Sequence, residues 1–85
     1  MSFKEFLAEA IKPTDLVHRV GAGRGQMDVT KYLRKTCGIS GKGSDDVYFD
    51  GPSLVYGSKT IAGGALNDKT MTVQDLIDAV NKAKE

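Results

Sequence analysis

Asp46-Val47-Tyr48-Phe49-Asp50-Gly51-Pro52-Ser53-Leu54-Val55-Tyr56-Gly57-Ser58-Lys59-Thr60-Ile61 is the stretch that decides the fold. Val47, Tyr48 and Phe49 are β-branched or aromatic and suit a pleated surface. Asp50-Gly51-Pro52 then marks a turn. Leu54-Val55-Tyr56 and Lys59-Thr60-Ile61 flank Gly57-Ser58, a two-residue loop with glycine at its first position. That arrangement predicts a tight antiparallel hairpin, because the first loop residue must adopt a positive φ. A short antiparallel sheet with a hairpin near residues 46–62 is therefore expected.

Helical patterns lie on both sides. Downstream, Val73, Leu76, Ile77 and Val80 form an apolar stripe, and Thr72 with Asp75 three residues on resembles a capping box. This predicts a helix over about Val73 to Ala83. Upstream, Val29, Tyr32, Leu33 and Cys37 share a face, Asp28 suits the N-cap and Gly38 the left-handed stop, predicting a helix over about Val29 to Cys37. Asp15 to Val20 is too short to assign, although Thr14 suits the cap of a single turn. At the start, Phe3, Phe6, Leu7, Ala10 and Ile11 recur at helical spacing, and Pro13 ends the pattern. The expectation is an α+β chain with an amphipathic helix over the first ten residues and one small domain over 11–85, built from two or three helices on a short antiparallel sheet.

The chain has 85 residues, 40% hydrophobic and 27% charged, enough for one modest core. One cysteine excludes an internal disulfide, and one cysteine with one histidine excludes a structural zinc site of the Cys/His kind. No apolar run approaches the roughly 20 residues of a membrane span, and no long apolar stretch of secretory type opens the chain. No cofactor and no membrane partner are expected.

Ten glycines cluster in loops. Gly21-Ala22-Gly23-Arg24-Gly25-Gln26 resembles the start of a dinucleotide fingerprint, but Gln26 stands at the third glycine and no strand precedes it. Gly38-Ile39-Ser40-Gly41-Lys42-Gly43-Ser44 resembles a phosphate loop, but the spacing is two residues short and Gly43 replaces the hydroxyl residue. Its amides with Lys42 remain a weak anion nest. Cys37 and His18 are the only nucleophile–base pair that can be proposed, with no orienting third group, so the chain reads as non-enzymatic. Asp45 and Asp46 are adjacent and would face opposite sides of a strand, which disfavours a shared metal. Tyr48 and Tyr56 are either core aromatics or, if side by side on neighbouring strands, a platform for bases.

Charge is concentrated in the middle. Residues 18–43 hold Arg19, Arg24, Lys31, Arg34, Lys35 and Lys42 against Asp28, a net +5 in a chain of net +1. Arg19, Arg24, Arg34, Lys35 and Lys42 are the candidate contacts for an anion, a nucleotide ligand or nucleic acid; the alternative is a solvated basic face.

The opening Met1-Ser2-Phe3-Lys4-Glu5-Phe6-Leu7-Ala8-Glu9-Ala10 resembles the capsid-targeting propeptide of the internal head proteins of T-even-type tailed phages. The resemblance covers about ten residues, and those after them resemble no family. It implies recognition of Leu7 and Glu9 by the prohead protease and a cut after Glu9, leaving a mature chain of net charge +2. It also implies a small bacteriophage protein that acts in the host cytoplasm, delivered from the virion interior with the DNA or expressed early. The function so implied is binding and inhibition of a host protein, such as a defence factor. The alternative is a nucleic-acid or nucleotide-ligand binder that uses the basic glycine-rich loops.

Overall fold

The computed structural model describes residues 11–85. The helix expected over the first ten residues, with Leu7 and Glu9 of the leader, lies outside them. Ile11, the first described residue, is buried in the core and is not helical.

The elements are α1 (Val17–Val20), α2 (Gly25–Cys37), β1 (Val47–Asp50), β2 (Ser53–Tyr56), β3 (Lys59–Ala62), a 3-10 turn (Ala65–Asn67) and α3 (Val73–Lys84). The α+β class expected from the sequence is what folds: among the described residues there are three helices and a three-stranded antiparallel sheet in the order β1-β2-β3. Both connections are two-residue turns with glycine first, Gly51 at φ 61° and Gly57 at φ 66°. Only glycine takes that conformation without steric cost, so the two glycines fix both hairpins and hence the register.

Alternation along the strands separates two faces. Val47, Phe49, Leu54 and Tyr56 point to the core, where Val29, Leu33 and Cys37 of α2 and Val73, Leu76, Ile77 and Val80 of α3 meet them. Tyr48, Val55 and Thr60 lie in register on the other face. A bulge opposite Leu54 and Val55 leaves Ile61 as the extra residue, so Ala62 rather than Ile61 pairs with Leu54.

α3 follows the sequence closely. Its capping box forms, with the Asp75 amide donating to Thr72 Oγ1 at 3.3 Å and the Thr72 amide to Asp75 Oδ2 at 2.9 Å. Two further amides of its first turn are satisfied from afar: Val73 donates to the Asp15 carbonyl and Gln74 to the Pro13 carbonyl, each at 2.9 Å. The Pro13–Asp15 segment thus serves as a backbone cap for the last helix.

α2 begins earlier than the pattern suggests. Arg24, not Asp28, occupies its N-cap, and Asp28 sits in the first turn without a side-chain capping bond. The cause is a close approach. A Cβ at Gly25 would lie 1.9 Å from the Val20 carbonyl oxygen, so only glycine lets α2 start directly against the end of α1. A Cβ at Gly21 would meet Leu66 Cδ2 of the 3-10 turn at 2.6 Å. Two glycines of the 21–25 cluster are therefore packing residues. The single turn at α1 forms with Leu16, not Thr14, at its N-cap.

Candidate binding surface

Residues 38–46 connect α2 to β1, and polar groups within this segment close on one another. The Asp45 carboxylate accepts from the Ser40 amide at 2.9 Å and, on its other oxygen, from the Tyr56 hydroxyl at 2.6 Å. The Asp45 carbonyl accepts from the Gly41 amide at 2.8 Å, and Ser40 Oγ from the Lys42 amide at 3.3 Å. The amides expected to form an anion nest at Ser40, Gly41 and Lys42 are thus already bonded inside the loop, two of them to Asp45 itself. The hydrogen bond from Tyr56 is the main cause holding Asp45 below its ordinary carboxylate range, and the same bond raises the Tyr56 hydroxyl.

Asp46 points the other way. Its carboxylate meets Arg34 of α2, Nε to Oδ1 at 2.6 Å, the one ion pair among the described residues. Arg34 Nη2 also donates to the Val47 carbonyl at 3.2 Å, and Asp46 Oδ1 accepts from the Val47 amide at 2.8 Å. The Arg34 hydrogen bond is the first cause of the lowered Asp46 pKa. Both carboxylates are therefore depressed in the folded chain. Groups of this kind stabilise above their unfolded pKa and lose that contribution as pH falls through the folded one. Unfolding midpoints are expected to fall on acidification below about pH 4. Tyr56→Phe and Arg34→Met should each flatten that acid limb, as measured by denaturant titration across pH; an unchanged slope in both would refute the assignment.

The five basic candidates do not meet as one constellation. Arg19 is exposed on α1 and Arg24 at the N-cap of α2. Lys35 lies in the last turn of α2, about 16 Å along the helix from Arg24. Lys42 is exposed in the following loop, and Arg34 is turned onto Asp46. Tyr48 and Tyr56 are offset by one residue in register and so stand on opposite faces of the sheet, where they cannot form a paired stacking platform.

Cys37 ends α2, buried with Sγ 3.9 Å from the Ile77 carbonyl, and burial raises its thiol pKa. The Cys37 carbonyl accepts from the Lys84 ammonium of α3, so a distant lysine caps α2. His18 lies on α1, which meets the opposite end of α2, about 18 Å along the helix from Cys37. The structure does not bring the two together. His18 Nδ1 is buried without a hydrogen-bond partner among the described residues. No group of three or more His, Cys, Asp and Glu side chains among them is placed to hold a metal, and no helix among them is long and apolar enough to cross a membrane.

One surface feature was not read from the sequence. Gln26, Met27 and Thr30 of α2 and Tyr48 and Phe49 of β1 line a shallow open groove. Two of the lining residues, Met27 at 76% and Tyr48 at 46% exposure, are the exposed large hydrophobic residues among the described ones. Thr30 forms the floor, its hydroxyl turned back to the Met27 carbonyl at 3.0 Å, which leaves the groove largely apolar. Met27 precedes the helix start expected from the sequence, so its place on a helix face beside β1 was invisible. Compared with known proteins, the chain matches no family model, no curated protein and no solved structure.

Proposed function

We propose that this chain is a small bacteriophage protein that binds and inhibits a host protein, such as a defence factor, through the groove between α2 and β1. The observation that carries the reading is an open, largely apolar groove whose lining includes the exposed residues Met27 and Tyr48. Methionine and tyrosine are side chains enriched at protein interfaces, one adaptable and the other rigid with a polar tip. The phage origin, the host as source of the partner and the carriage in the head rest on the leader-like first ten residues.

The test is capture from bacterial lysate on the immobilised chain, with Met27→Asp/Tyr48→Asp as the matched variant. One host protein should be retained in stoichiometric amount by the wild type, and its retention should fall at least tenfold in the variant. Circular dichroism should be unchanged, because neither side chain belongs to the core. Equal capture by both proteins would remove the groove from the interface. Retention that disappears on nuclease treatment, with log affinity for duplex DNA falling by about 0.9 per phosphate contact against log salt, would transfer the function to nucleic acid and to exposed Arg19, Arg24, Lys35 and Lys42.

A further inference from the structure

Among the described residues β1 is an edge strand. The Gly57 amide donates to the Asp46 carbonyl at 3.0 Å, so Asp46, and by alternation Tyr48 and Asp50, turn their backbone groups toward β2. Val47 and Phe49 turn theirs outward, to the open edge. An outward row of this kind is a template for strand addition, and a second copy of the same chain is the partner always at hand.

At Val47 the row is already filled. Its carbonyl accepts from Arg34 Nη2, and its amide donates to Asp46 Oδ1. The Arg34 guanidinium is fixed by its Nε bond to the same Asp46 carboxylate, which stops the side chain swinging clear. Only Phe49 keeps an outward amide and carbonyl without a partner among the described residues. One residue is too little for a ladder, and the turn at Gly51 ends the strand just beyond it.

We propose that the Arg34–Asp46 pair is an edge lock, which occupies the outward backbone groups of β1 and prevents antiparallel pairing of β1 with β1 of a second copy. The lock is independent of what the groove binds. It also gives Arg34 a role that its place in a basic segment does not suggest.

The test begins with Arg34→Met, which keeps an aliphatic stem on α2 and removes every donor. The wild type should remain monomeric by light scattering up to millimolar concentration, whereas folded Arg34→Met should dimerise with at least a tenfold lower dissociation constant. The chain is short enough for chemical synthesis, so the variant is also made with an N-methyl group on Phe49. That group removes the one outward donor left on β1, and it should restore the monomer. A folded monomeric Arg34→Met, or an association that N-methylation does not reverse, overturns the proposal. If Arg34→Met fails to fold, Asp46→Asn is read the same way, since it keeps shape while loosening the guanidinium. Amide exchange in the wild type is decisive in any case: Phe49 should exchange at least tenfold faster than Tyr48. Equal protection at the two positions would mean that the edge is already covered, and the lock would be wrong.

Discussion

Gly57→Val is expected to cost about 3 kcal/mol of stability, from a β-branched residue forced into the left-handed region and crowded there. For a domain of this size that corresponds to a fall in melting temperature of more than about 10 °C. Gly57 sits at φ 66°, and a Cβ there would lie 3.0 Å from the Ser44 carbonyl oxygen. The strain therefore reaches past the hairpin. Relaxing the turn moves β2 against β3, and relaxing the contact moves Ser44 and the loop that Asp45 closes. Tyr56, the residue before the turn, would lose its alignment with Asp45. Thermal denaturation of Gly57→Ala and Gly57→Val separates the contributions: both carry a Cβ at positive φ, and only valine adds branching. A melting temperature for Gly57→Val within 3 °C of the wild type would place the turn elsewhere.

That hairpin was legible because its determinants are local. Strand formers, a glycine at the first loop position and the two-residue spacing all lie within residues 47–62, and no distant contact is needed to choose the register. α3 was legible for the same reason, since Thr72, Asp75 and the stripe from Val73 to Val80 specify its start and its buried face. α2 was half legible. Its apolar face and its Gly38 stop agree with the structure, but its first turn depends on how near Gly25 comes to Val20, a relation between two elements. Asp28 suits a cap only for a helix that begins after it, and this one begins at Gly25.

The candidate surface shows the same division. The groove needs Met27 on a helix and β1 beside it, so it follows from the corrected helix start together with the packing of α2 on the sheet. The Arg34–Asp46 pair spans 12 positions and the Lys84 bond to Cys37 spans 47. Neither spacing carries a local signal. Read in one dimension, Arg34 and Lys35 are equivalent basic residues at the end of a helix. In the fold Arg34 is turned to β1 and bonded, whereas Lys35 is exposed. A count of charge along the chain therefore overstates what the middle segment offers to an anion. The Ser40 amide shows the converse, a backbone donor that looked free and is held by the carboxylate of Asp45 five residues on.

The glycines at 21–25 allow the sharpest separation of a ligand loop from a packing joint. Gly25→Ala should destabilise the chain by about 3 kcal/mol or more, the upper range for inserting an atom where packing is already tight. The new methyl would stand 1.9 Å from a backbone oxygen, which no side-chain rotation relieves, so α1 and α2 must part. Val17 and Val29, both fully buried on those two helices, would become exposed as they do. Gly23→Ala meets nothing within 4 Å but carries φ 56°, so its cost should be about 1 kcal/mol, the strain of alanine in the left-handed region. Gly63→Ala meets nothing and has no positive φ, and should be neutral within about 0.5 kcal/mol. Urea denaturation of the three variants should rank them in that order. A loop built to approach a phosphate would behave differently: Gly25→Ala would keep its stability and lose a ligand instead. A folded Gly25→Ala variant with wild-type stability would therefore refute the packing joint and return the 21–25 cluster to the list of binding loops.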